Sequence, residues 1–127
     1  MRIAVFGAGG IGGYFGVRLA QAGNDVALIA RGSHLQAIQA NGLFVKSATG
    51  DFHITPFIAT NSPAEVGVVD LVILGVKAWD VREAAEQIRP MIGPDTGVLT
   101  LQNGVEAPTE VADVLGHDHV IVGVSPV

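Results

Sequence analysis

The sequence predicts an α/β fold in which helices cover both faces of a mainly parallel, doubly wound sheet of about six strands. Three observations carry this expectation. An apolar strand, Arg2-Ile3-Ala4-Val5-Phe6, runs directly into Gly7-Ala8-Gly9-Gly10-Ile11-Gly12 and then into a helical stretch. Apolar strands and amphipathic helices then alternate along the chain, as βαβ units do. The 127 residues are 49% hydrophobic and only 15% charged, a balance suited to a sheet buried on both faces.

The first strand and its glycines carry the most chemistry. Gly7, Gly9 and Gly12 stand at the G-x-G-x-x-G spacing that a dinucleotide pyrophosphate requires. Gly7 permits the tight turn, Gly9 puts no side chain between backbone and pyrophosphate, and Gly12 lets helix and strand pack closely. The helix then aims free N–H groups and its positive dipole end at the phosphates. In the helix, Ile11, Phe15 and Leu19 recur every fourth residue and predict an apolar face against the sheet. Gly23 ends the helix, and Val26-Ala27-Leu28-Ile29-Ala30 is the second strand.

Further along, Ser33-His34-Leu35-Gln36 resembles a capping box that opens a short helix with Leu35 and Ile38 inward, closed by Asn41-Gly42. Leu43-Phe44-Val45 and Phe52-His53-Ile54-Thr55, on either side of Ala48-Thr49-Gly50-Asp51, predict a hairpin. Phe57-Ile58-Ala59 is a candidate third parallel strand. Val68 to Val76 is almost continuously apolar and β-branched, which marks a central parallel strand. A helix follows with Val81, Ala84, Ala85 and Ile88 on one face, and Pro90 stops it. Val98-Leu99-Thr100-Leu101 is the fifth strand. The loop Gln102-Asn103-Gly104 leads to a helix opened near Pro108, and Val120 to Val124 forms the sixth strand. That series is the strand count of a complete Rossmann domain, so residues 1–127 read as one dinucleotide-binding domain.

The residue that follows the second strand selects the cofactor. An NAD-preferring domain carries Asp or Glu there to bind the ribose 2′-OH. Here the strand ends Ile29-Ala30-Arg31-Gly32-Ser33, with no acid, and Asp25 lies at the wrong end. A guanidinium at Arg31 can grip a 2′-phosphate with two parallel hydrogen bonds, which an acid would repel. NADP(H) is therefore the expected cofactor. The plainer alternative is a solvated arginine after a strand.

Composition excludes several other classes. The formal charge is −5 with no basic run, against nucleic-acid binding. With no cysteine, disulfide scaffolds, thiolate zinc sites and cysteine nucleophiles drop out. His117-x-His119 lacks a third ligand at metal spacing, so a loop is expected and no metal. His34 and His53 stand isolated and receive no role. No apolar run is long enough for a membrane span, and no segment reads as a signal peptide, so a cytoplasmic protein is expected.

Two more segments lie at carboxyl ends of strands, where open sheets bind ligands. Leu74-Gly75-Val76-Lys77-Ala78-Trp79 follows the fourth strand and Leu101-Gln102-Asn103-Gly104-Val105 the fifth. Together with the glycine loop and Arg31, they resemble the N-terminal domain of the ketopantoate reductase family, over essentially the whole chain. The resemblance implies NADPH-dependent reduction of the ketone of 2-dehydropantoate, a step toward pantothenate and coenzyme A. It implies that residues Gly7 through Gly12 hold the pyrophosphate and that Arg31 meets the 2′-phosphate. Lys77 would contact the cofactor near the adenosine or ribose, and Asn103 the nicotinamide ribose and the substrate. Each has a plainer reading, Lys77 as a solvated strand end and Asn-Gly as a turn dipeptide. Trp79 reads as a packing anchor.

The family's general-acid lysine belongs to a C-terminal helical domain that this chain does not contain, so no catalytic residue is expected here. The expected partners are a small 2-oxo acid and that domain, with a homodimer admitted for the full-length form. Two other functions stay open: a reductase of a different 2-oxo acid or ketone, and a dinucleotide-sensing module without chemistry.

Overall fold

A computed structural model describes residues 1–7, 10–47, 50–55, 58–75, 80–101 and 106–121. Six strands form one parallel sheet: β1 (Arg2–Phe6), β2 (Asp25–Ile29), β5 (Ile58–Thr60), β6 (Leu71–Leu74), β7 (Gly97–Thr100) and β8 (Val120–Ile121). Their order is β5-β2-β1-β6-β7-β8. From β1 the chain winds outward through β2 to β5, then returns to place β6 on the other side of β1. This is a doubly wound Rossmann sheet with its reversal point between β1 and β6. The predicted hairpin is a separate antiparallel pair, β3 (Leu43–Ser47) and β4 (Gly50–Ile54), with Leu43 opposite Ile54 and Ser47 opposite Gly50.

Because strand side chains alternate between faces, β1, β2 and β6 each feed two cores. Ile3, Val5, Val26, Leu28 and Ile73 point to one core, joined by Val17 of helix α1 (Gly10–Gln21) and Ile38 of α2 (Gly32–Asn41). Ala4, Ala27, Ile29, Val72 and Leu74 point to the other. There they meet Val66 of the short α3 (Pro63–Val66), Val81, Ala84 and Ala85 of α4 (Val81–Gln87), and Val111 of α5 (Glu106–Leu115). The apolar face predicted for α4 is buried as expected, Ile88 included. Pro90 lies in the 3-10 turn Arg89–Met91 that follows.

Three expectations are corrected. The apolar stripe of α1 faces the sheet only in part: Leu19 packs against the core, whereas Phe15 is 41% exposed and stands edge-on to Tyr14. Gly12, Gly13, Gly16 and Val17 are buried instead. A Cβ on Gly16 would already touch Val5 Cγ2 at 3.4 Å and Leu28 Cδ2 at 3.5 Å, so the glycines set how near the helix lies. Second, α2 has no capping box. Arg31 is its N-cap, in extended conformation and with no side-chain cap hydrogen bond, and Ser33 lies inside the helix. Gly32, at φ +66°, makes the bend that lets the helix start early. Third, β6 begins at Leu71 rather than Val68. Val68 is 59% exposed, the Val69 N–H donates to the Met91 carbonyl, and Asp70 Oδ2 accepts from the Arg2 N–H. The apolar run therefore covers a loop as well as a strand.

Candidate dinucleotide-binding cleft

The carboxyl ends of β1 and β6 and the start of α1 meet at one point. Gly7 leaves β1 at φ +92°, and its N–H donates to the Ile29 carbonyl. A Cβ on Gly12 would collide with the Gly7 carbonyl oxygen. A Cβ on Gly75 would lie 2.8 Å from that same oxygen and 3.0 Å from Gly12 Cα. Three glycine backbones are thus interlocked beneath the N-terminus of a 12-residue helix. A surface of bare backbone amides at a positive helix end is what a pyrophosphate needs, so these residues fit a dinucleotide. Gly12 thus packs directly on the backbone that leaves β1. Gly75 was quoted in the sequence but given no role; its position at the end of a central strand was the available signal.

A cleft of about 680 Å³ opens beside this junction, within the size range of cofactor sites. Its floor is Phe6, Gly7, Ile29 and Ala30. Arg31 and His34, one turn apart on α2, form one wall; Asn61, Ser62 and Pro63, after β5, form another. Asp80, the N-cap of α4, and Glu83, Ala84 and Gln87 within it close the third side. Arg31 is exposed, and among the described residues no carboxylate pairs with its guanidinium. Asp25, opposite Arg2 in the β1–β2 register, sits at the far end of its strand. The Arg31 end of the cleft therefore presents a cation and no acid from β2.

Thr60 joins two of these walls. Its carbonyl accepts the Ala30 N–H at 3.0 Å, and its buried hydroxyl donates to Glu65 Oε2 at 2.8 Å. That hydroxyl also accepts the Ser62 N–H at 3.1 Å. No sequence motif flagged Thr60, Asn61 or Ser62. His34, unassigned from sequence, lines the cleft.

Two of the other histidines have structural contacts. The His53 ring stacks on Phe44 at 4.1 Å and its Nε2–H donates to the Asn41 carbonyl. His119 Nδ1–H donates to the Thr96 carbonyl at 2.8 Å. Among the described residues no cluster could hold a metal ion, and no helix is long and apolar enough to cross a membrane. Among the described residues, the displaced ionisations belong to a pair that does not line the cleft. The Arg89 guanidinium holds the Glu86 carboxyl below the usual carboxylate range, and Glu86 in turn raises Arg89. Ala8, Gly9, Lys77, Trp79 and Asn103 lie outside the described residues, as do the side chains of Gly10 and Ile11.

Comparison with known proteins agrees with this geometry. Residues 3–127 match the family model of the ketopantoate reductases PanE/ApbA. The chain is 46% identical over 106 residues to a 2-dehydropantoate 2-reductase of Mesorhizobium japonicum, covering 83% of this chain and 32% of that protein. It superposes on the crystal structure of 2-dehydropantoate 2-reductase from Geobacter metallireducens with a TM-score of 0.89 and 39% identity, over 98% of this chain and 41% of the other. It is also similar, at TM-score 0.84 and 32% identity, to a D-mandelate dehydrogenase solved with NADH and anilino(oxo)acetate, over 97% of this chain and 40% of that one. The chain thus spans between about a third and two fifths of the length of these relatives.

Proposed function

The chain belongs to the ketopantoate reductase family, whose members are dinucleotide-binding oxidoreductases, and we propose that it is the NADPH-binding domain of a 2-dehydropantoate 2-reductase. The observation that carries this reading is the cleft beside the interlocked glycines, with Arg31 in its wall and no acid at the end of β2. When bound, the nicotinamide supplies the hydride that reduces the 2-oxo group to an alcohol. Backbone amides of residues Gly7 through Gly12 hold the pyrophosphate. Arg31 grips the adenosine 2′-phosphate with its planar fork. Lys77 contacts the cofactor near the adenosine or ribose, and Asn103 holds the nicotinamide ribose and touches the substrate, both on the strength of the family pattern. The proton comes from a lysine of a C-terminal helical domain, which also supplies most of the substrate site. The full-length protein works in the cytoplasm, where a homodimer suits it.

The test is a calorimetric titration of the chain with NADPH and NADH, repeated on Arg31→Ala. Loss of charge-assisted hydrogen bonds costs about 1.5–3 kcal/mol, so NADPH should weaken about 10- to 100-fold while NADH is nearly unchanged. Equal losses for both cofactors would remove the 2′-phosphate assignment. The full-length protein should then oxidise NADPH when given 2-dehydropantoate.

The likeness to an NADH-bound D-mandelate dehydrogenase keeps a second reading in view, a reductase of a different 2-oxo acid. Turnover of another ketoacid without turnover of 2-dehydropantoate would select it. The reductase names of the relatives favour either enzyme over a sensing module.

A further inference from the structure

The cleft wall after β5 has no sequence motif of its own, yet it is held by a specific arrangement. β5 is a three-residue strand at the edge of the sheet. Such an edge gives its following turn little support from ladder hydrogen bonds. Support comes instead from one buried hydroxyl. Thr60 is 4% exposed. Its Oγ1 accepts the Ser62 N–H and donates to Glu65 Oε2, while the Glu65 N–H donates back to the Ser62 carbonyl at 3.1 Å. Asn61 is thereby suspended between two fixed residues, facing the cleft. The Thr60 carbonyl also takes the N–H of Ala30, the residue before Arg31. A single residue therefore sets the spacing between the wall that carries Arg31 and the wall that carries Asn61.

We infer that Thr60 and Glu65 are positioning residues for the adenosine half of the dinucleotide. They hold Asn61 and Ser62 as a preformed wall against the adenosine, and they do so without touching the 2′-phosphate. The inference rests on the cleft being the adenosine site. It predicts a pattern different from that of Arg31: the Thr60–Glu65 pair governs affinity for every adenosine-bearing ligand and leaves the preference for NADPH over NADH where it was. A wall ordered before binding spares the ligand the cost of ordering it.

The experiment measures dissociation constants of the chain for NADPH, NADH and adenosine 2′,5′-bisphosphate by calorimetry, well below each variant's melting midpoint. Thr60→Val removes the hydroxyl at nearly constant volume. Glu65→Ala removes its partner from an exposed position, so it tests the same contact without disturbing the core. Glu65→Ala removes one hydrogen bond of the turn and should weaken all three ligands by a common factor of about fivefold; Thr60→Val removes two and should weaken all three by a common factor at least as large. Thr60→Ser, which keeps the hydroxyl, should stay within about twofold of the unsubstituted chain. A role confined to stability would lower the melting temperature of Thr60→Val yet leave the folded protein's affinities unchanged, and that result overturns the inference. Loss for NADPH alone, or a Thr60→Ser variant as weak as Thr60→Val, overturns it too. Absence of binding to the unsubstituted chain refutes the cleft itself, and the inference with it. An Arg31→Ala variant that loses both cofactors equally removes only the 2′-phosphate assignment and leaves the wall to be judged on its own variants.

Discussion

Three glycines in and after α1 should respond differently to the same substitution, and the differences follow from what surrounds each one. At Gly12 an added Cβ would meet the Gly7 carbonyl oxygen, with Gly75 Cα only 3.5 Å away. These neighbours are backbone and cannot swing aside, so the first turn of α1 must lift from β1. Overpacking costs about 1–3 kcal/mol, with about 2–3 kcal/mol applying against rigid backbone, and replacing glycine in a helix regains about 0.5–1 kcal/mol, a net loss of about 1–2.5 kcal/mol. For a domain of this size each kcal/mol moves the midpoint by roughly 3–6 °C. Gly12→Ala should therefore melt about 3–15 °C lower, and it should also bind NADPH more weakly because the N–H groups of the turn are displaced. Gly16 offers a contrast: its Cβ would meet only side-chain atoms of Val5, Leu28 and Val26, at 3.4 to 3.8 Å. That is tight but yielding, and Gly16→Ala should melt at or above the parent temperature with binding intact. Gly23 has nothing within 4 Å but sits at φ +98°. Gly23→Ala should cost about 1–2 kcal/mol of backbone strain and leave cofactor affinity unchanged. Circular dichroism melts and NADPH titrations of the three variants decide the matter. If Gly12→Ala melts and binds like Gly16→Ala, the close approach of Gly12 to Gly7 is not what shapes the site.

Other substitutions test the frame around the cleft. The buried Thr96 hydroxyl donates to the Val69 carbonyl at 2.6 Å and accepts the Gly93 N–H at 2.8 Å. Thr96→Val should destabilise by about 1–3 kcal/mol in urea melts, without changing NADPH affinity, since both partners are left unsatisfied at the end of the sheet away from the cleft. The lowered Glu86 ionisation carries a pH signature. A carboxyl that is more acidic when folded contributes stability above its unfolded value and loses it as pH falls through the folded one. The Glu86–Arg89 contribution should therefore be complete at neutral pH and fade below the ordinary carboxylate range. Glu86→Gln should flatten that acid limb in thermal melts run at successive pH values; an unchanged limb would show that the exposed pair contributes nothing measurable.

The sheet was legible because parallel strands buried on both faces must be apolar along their whole length, as Ala4, Ala27 and Val72 show on one side and Val5, Leu28 and Ile73 on the other. Arg31 was legible as a wall of the cleft because it follows so closely the carboxyl end of β2, where open sheets bind ligands. The misread elements share a physical cause. Periodicity treats large apolar side chains as the mark of a buried face, so it assigned Phe15 to the sheet. A helix that lies with its backbone against the strands has no room for bulk beneath it; it buries Gly12, Gly13 and Gly16 and leaves Phe15 outside. The same trade explains Gly75, whose missing side chain is spatial, a gap opposite Gly12 that no local pattern encodes. At α2, a serine cap would have started the helix later. The bend at Gly32 makes Arg31 itself the extended N-cap, and its side chain lines the cleft. Local rules failed where backbone had to approach backbone or a charge had to be presented to a ligand, which is where a binding site departs from the pattern that merely folds the chain. The wall at Asn61 is the limiting case: its order depends on a threonine hydroxyl and a glutamate five residues on, a pairing set by a turn in space and invisible to composition, hydropathy or motif.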